Sequence, residues 1–216
     1  MKEFDKIFLS WHSGLKPSRH LLGVLQQEDT AAFTFHYDRM EVERLGKIYT
    51  ELPNVDVVYN GSILEVFAKR LINSDRSDVQ DFYDFWEIEA DKVTDKFYLL
   101  AHTQGLLPTD NFEFLADFNP IPGLHFLTDL ANLSGTKLPK DAVRIGDELT
   151  FEKDDSNAFD SKAVKVFKSG KQIGFIKKGH SHLFCKPGAE KLKLSVKAID
   201  QNGTIKRIFV KVSLPA

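Results

Sequence analysis

The chain has 216 residues, 42% hydrophobic and 28% charged, with a formal charge of −2 and a single cysteine. That balance suits an ordinary folded protein of one large or two small cores, and it excludes an internal disulfide and, since no apolar run reaches the length of a span, a helical membrane anchor. The small net charge hides a division, because residues 1–122 carry 12 Lys and Arg against 21 Asp and Glu while residues 123–216 carry 17 against 10, and a basic half suits a polyanion partner.

In chain order, Ile7 to Trp11 reads as a strand, Gly14 to Ser18 as a turn, and His20 to Leu25 as the second strand of a hairpin. Ala32 to Tyr37 alternates, with Phe33, Phe35 and Tyr37 on one face, which predicts a third strand with its rings in a core. Met40, Val42, Leu45 and Ile48 have roughly helical spacing, and Pro53 closes that segment. Ile63, Leu64, Phe67, Leu71 and Ile72 predict an amphipathic helix with Ser62 as N-cap. A further helix is expected over Ser77 to Glu89, with Val79, Phe82, Phe85 and Trp86 on one face. Another runs from Val93 to Thr103 and ends at Gly105. Phe112, Phe114 and Leu115 suit a closing strand, and Asn119-Pro-Ile-Pro-Gly123 reads as a linker between domains 1–120 and 121–216.

The second half is read as strands and turns. Leu149 to Glu152, Ala163 to Phe167 and Ile173 to Ile176 are short apolar runs, the last two joined by a Ser169-Gly170 hairpin turn. The long polar stretch Asp154 to Asp160 is rich in residues that bond their own backbone, and a loop of that kind is where a site is expected. A short helix is expected near Gly179 to Lys186. Leu192 to Ile199 and Lys206 to Val212 flank an Asn202-Gly203 turn. Six strands in under a hundred residues, with Gly123 to Phe126 as the opening one, predict a small barrel. The fold class is therefore α+β: a small N-terminal β-sheet with helices, then a C-terminal OB-like barrel.

Three segments carry a resemblance. Gly146-Asp-x-Leu-x-Phe151, then Asn157-x-Phe159-Asp160-x-x-Ala163-Val164-x-Val166, then Gly170-x-x-Ile173-Gly174-Phe175-Ile176 are similar to a HIRAN domain, over roughly Pro122 to Ala216. The resemblance implies an OB-like β-barrel, found in some SNF2-type DNA remodellers and as free-standing bacterial proteins, that grips a single-stranded 3′ end. It implies a site made by His125, Phe126, Asn157, Phe159, Asp160, Phe175 and Lys178, to which the adjacent Lys177 is added as a phosphate-attracting cation. Two positions depart from the family: its Arg-aromatic-aromatic opening is His125-Phe126-Leu127 here, and its loop tyrosine is Phe159, so hydroxyls that could bond a base or phosphate are absent. In the first half, Phe67-Ala-Lys-Arg70, Ala101-His-Thr-Gln-Gly105 and Pro108-Thr-Asp110 resemble the small N-terminal subdomain of HipA-type kinases. That implies an antitoxin-like protein-interaction module.

The chemistry-bearing residues allow few reactions. Neither a phosphate-binding glycine loop nor a kinase catalytic-loop motif occurs, nor a Gly-x-Ser-x-Gly elbow, so no enzyme and no cofactor are expected. His180-Ser-His182 with Cys185 has ligand-like spacing but no evident fourth zinc ligand. Asp154, Asp155, Asn157 and Asp160 lack the twelve-residue register of a calcium loop, and an Asx-turn scaffold explains the same residues. Lys162, Lys165, Lys168, Lys171, Lys177 and Lys178 interleave with apolar residues; this is a phosphate-neutralising stripe or the solvated face of any amphipathic sheet. Exposed rings at Phe126, Phe159 and Phe175 would favour base stacking. The expectation is a cytoplasmic, non-enzymatic DNA-binding protein; the alternative is a protein-interaction subunit for a HipA-type kinase or other partner, with a structural barrel.

Overall fold

The computed structural model describes residues 2–13, 18–29, 31–136 and 138–216; most of the turn expected at Gly14 to Ser18 lies outside them. The chain is α+β, and it divides into two compact units. One spans Phe4–Asp117. The other comprises Phe118–Ala216 together with Lys2 and Glu3.

The first unit is an antiparallel sheet of four strands in the order β3-β2-β1-β4: β1 (Lys6–His12), β2 (Arg19–Asp29), β3 (Ala32–Tyr37) and β4 (Phe112–Ala116). Register puts Phe35, Leu25, Ile7 and Ala116 in one cross-strand row and Tyr37, Gly23, Leu9 and Phe114 in the next. Apart from Gly23, for which no burial is at issue, these side chains are all buried. The alternation that predicts β3 is thus the alternation that fills the core. Four helices follow β3 before the chain returns to β4: α1 (Arg39–Leu45), α2 (Ile63–Ala68), α3 (Val79–Trp86) and α4 (Lys96–Thr103). Phe67 of α2 sets its ring edge against Phe35 at 5.1 Å and meets Phe114 at 4.9 Å, and each such buried ring stabilises by roughly 1.5 to 3 kcal/mol.

The N-caps differ from expectation. Ser62 makes no side-chain cap, whereas Asp38 accepts from Glu41 N–H and Asp95 accepts from the N–H groups of Phe97 and Tyr98. The helix expected through Ile72 stops at Ala68 because Arg70 turns inward. Its guanidinium donates to both oxygens of Asp110, to Gly105 O and to Phe112 O. The Phe67–Arg70, Ala101–Gly105 and Pro108–Asp110 segments therefore converge on one buried cation. Burial pushes the Asp110 carboxyl up, but the Arg70 bonds outweigh it and hold the group below the usual carboxylate range.

The second unit holds a six-stranded sheet in the order β5-β10-β9-β6-β7-β8. Its strands are β5 (His125–Asp129), β6 (Glu148–Lys153), β7 (Val164–Lys168), β8 (Lys171–Phe175), β9 (Lys193–Asn202) and β10 (Thr204–Ser213). The two ends of that order meet. Ala131, just past β5, exchanges both backbone bonds with Phe175, at 2.7 and 3.0 Å, so the sheet curls until its first and last strands touch. Gly174 permits the approach, since a Cβ there would lie 3.0 Å from Ala131 O and 3.2 Å from Leu130 Cβ. Phe126, Val164, Val166, Ile176, Val196, Val210 and Val212 are buried in this unit. A short helix α5 (Leu133–Thr136) follows the bridge, and the helix expected near residue 179 is a 3-10 segment, His180–Cys185.

Candidate nucleic-acid interface

The loop between β6 and β7 is built from its own side chains. Asn157 Oδ1 accepts from the N–H groups of Phe159 and Asp160, at 3.0 and 3.1 Å, while Asn157 Nδ2 donates to Asp154 Oδ2. Asp154 also accepts from Ser156 Oγ and faces Lys165 Nζ at 3.0 Å, and Asp160 Oδ1 accepts from Lys162 N–H. Lys165, and after it Asn157, holds the Asp154 carboxyl below the usual carboxylate range. These bonds occupy the oxygens that a calcium loop would turn inward, and among the described residues no group of three or more His, Cys, Asp or Glu is placed to hold a metal ion.

The loop's product is an exposed ring. Phe159 is 94% accessible, on a backbone fixed from both sides by Asn157. Single exposed apolar side chains are common on folded surfaces; this one is set apart by a backbone that Asn157 holds in place.

Phe175 lies on β8 opposite Lys165 on one side and Ala131 on the other, and directly paired residues share a face. It is partly exposed, as is Lys178. The row therefore runs Ala131, Phe175, Lys165, Glu152, and Lys165 links it through Asp154 to the Phe159 loop.

Two expected site residues belong elsewhere. Phe126 is 1% exposed, stacked on Phe118 at 4.1 Å and set edge-on to His180 at 5.1 Å; it is a core ring and offers no face to a base. Lys177 is fully buried, 2.5 Å from Asp129 Oδ1, and is withdrawn from any phosphate. His125, at the start of β5, is partly exposed, with Nδ1 3.3 Å from Gly123 O. The lysine stripe is also thinner than it reads. Lys165 faces Asp154 and Lys168 faces Asp147 at 2.8 Å, which leaves Lys162 and Lys171 as its exposed members. His180 is buried with Nδ1 3.0 Å from Thr128 Oγ1, whereas Cys185 is exposed, so the zinc-like spacing does not converge.

Phe209 and Arg207 went unnoticed in the sequence. Phe209 of β10 pairs with Asp129, and the Arg207 guanidinium lies 4.8 Å from the Phe209 ring centre and 3.4 Å from Asp129 Oδ1. An Arg-x-aromatic step on a strand next to the opening strand is the signal that could have found them.

No helix among the described residues is long and apolar enough to cross a membrane. No family model matches the chain, and no curated protein matches it. Among solved structures, the crystal structure of the HIRAN domain of human HLTF is similar to this chain at a TM-score of 0.34 and 17% identity, over 42% of this chain and 76% of that one. The barrel is defined by its own strand pairings.

Proposed function

We propose that the barrel unit binds DNA, as single strands or exposed ends, by stacking bases on Phe159 and Phe175 and attracting phosphates with Lys162, Lys171 and Lys178. The observation that carries this reading is Phe159, a nearly fully exposed ring held on a bonded loop beside exposed lysines. Asn157 and Asp160 serve it by fixing the loop, and the partly exposed His125 belongs to the same unit. The chain is assigned no reaction and no cofactor, and an exposed free thiol at Cys185 suits a reducing, cytoplasmic setting.

The test is a fluorescence-anisotropy titration with short single-stranded and blunt duplex DNA at two salt concentrations. Phe159→Ala and Phe175→Ala should each weaken single-strand binding by the stacking of one base, about 1 to 3 kcal/mol, without changing the salt slope. Lys178→Ala should lower that slope by about 0.7. Equal and very weak binding by parent and variants would sink the proposal.

A second reading rests on the other unit, where Met40 is 80% and Val58 61% exposed. There the Phe4–Asp117 unit is a protein-interaction module, its partner a HipA-type kinase, as its resemblance implies. Co-elution with such a kinase, abolished by Met40→Asp with Val58→Asp, would support it; separate elution of the parent would remove it.

A further inference from the structure

We infer that Lys177 and Asp129 form a clasp that finishes the closure of the barrel and positions Phe175 and Lys178; as a positioning role it rests on the DNA-binding reading above. The register of the Ala131 and Phe175 bridge fixes what comes next. Continued as an antiparallel ladder, that register would set Asp129 opposite Lys177 next, two residues along each strand. The backbone does not continue there as a strand. Lys177 O accepts instead from Ser181 N–H at 2.9 Å, at the start of the 3-10 segment, while β5 runs on along β10. At the position where ladder bonds would lie, Lys177 Nζ meets Asp129 Oδ1 at 2.5 Å, and both side chains are buried. The seam thus includes one backbone bridge, permitted by Gly174, and one buried ion pair.

Such a pair specifies geometry more than it stabilises. Two apolar side chains of similar volume could fill the same space, but they would not select one register, whereas a directional ion pair does. Phe175 lies two residues before Lys177 and Lys178 one residue after, so the clasp sets where β8 ends and which way both side chains leave the sheet. Arg207, 3.4 Å from the same Asp129 oxygen, ties Phe209 to the same point.

The experiment compares the full-length parent with the double variant Asp129→Leu, Lys177→Met, which removes both members of the buried pair together and is expected to fold. Hydrogen exchange should show the Ala131 and Phe175 amides opening at least about tenfold faster, with Val210 and Val212 on β10 unchanged as internal controls. Single-strand affinity should fall about tenfold, the value of one stacked base, with the salt slope unchanged because no phosphate contact is removed. A fall in slope would identify Lys177 as a phosphate ligand and overturn the positioning role, as would parent-like exchange at Ala131 and Phe175. The exchange readout needs no DNA. Should the parent itself fail to bind DNA, the functional reading falls while the clasp is still judged by its amides. A single Lys177→Met variant, in which Asp129 keeps Arg207, should show the same local loosening; loss of protection throughout the barrel would overturn the claim that the clasp acts locally.

Discussion

Asn157 orders the candidate site with three bonds, two accepted at Oδ1 and one donated to Asp154, so the loop's order depends on Asp154 staying ionised. Its carboxyl titrates below the ordinary range because Lys165 and Asn157 favour the charged form. A carboxyl depressed in the folded state contributes order that is fully present above its unfolded value, about 3.9, and is lost as pH falls through the lower folded value. The amide signals of Phe159 and Asp160 should therefore hold steady down to about pH 4 and shift together below it. Asp154→Asn should produce the loosened loop at neutral pH, measured by the same signals; an unchanged loop would mean that Asn157 acts without Asp154. The scaffold was legible because Asn and Asp in a polar stretch bond their own backbone whatever surrounds them. Phe126 and Lys177 were not. Phe126, Leu127, Thr128 and Asp129 are buried in succession, so β5 is covered on both faces and alternation could not say which side chains look outward. A lysine reads as solvated until its carboxylate is found, and Asp129 lies 48 residues away from Lys177 in sequence.

At the level of elements, strands were easier to read than helices. β3 and the β9 and β10 hairpin are bounded by strong alternation and by Asn202-Gly203, where Gly203 takes φ 76°. The α2 helix was overextended because Leu71 and Ile72 continue its apolar spacing past the residue where Arg70 leaves for Asp110. Removing that cation should be costly. Arg70→Met strips two charge-assisted bonds from Asp110 and two from backbone oxygens, and should destabilise the Phe4–Asp117 unit by about 2 to 4 kcal/mol in urea titration. A change below measurement error would show that the three segments cohere without it. Gly23 is the other pressure point. A Cβ there would stand 2.6 Å from His36 O and 2.7 Å from Phe35 Cζ, so Gly23→Ala must displace backbone or the central ring, at about 1 to 3 kcal/mol. A melting temperature equal to the parent's would mean that β3 yields freely.

For the whole molecule, the reversal of charge between the halves was plain in the sequence, and the path of the chain between them was not. Asp117 N–H donates to Lys6 O, in one unit, and Asn119 donates from its backbone and its side chain to Glu3 O and Lys2 O, in the other. Lys186 Nζ in turn holds Phe118 O and Asn119 Oδ1. The connection between units is thus crossed twice, once outward after Glu3 and once on return before Phe118. Lys2 and Glu3 thus group with the barrel unit although the Phe4–Asp117 unit separates them from it in sequence. A nick between Pro120 and Gly123 would therefore strand Lys2 and Glu3 on the wrong fragment, whereas excision with re-ligation would not. A chain in which a turn of about two to four residues joins Glu3 directly to Phe118 should fold as a barrel. It should exceed a bare Phe118–Ala216 fragment in stability by about 1 to 2 kcal/mol, the value of two recovered hydrogen bonds. Equal stability would demote those bonds to ornament; the expected difference would make the acidic unit removable, with two short ends of chain left as a clip on the barrel.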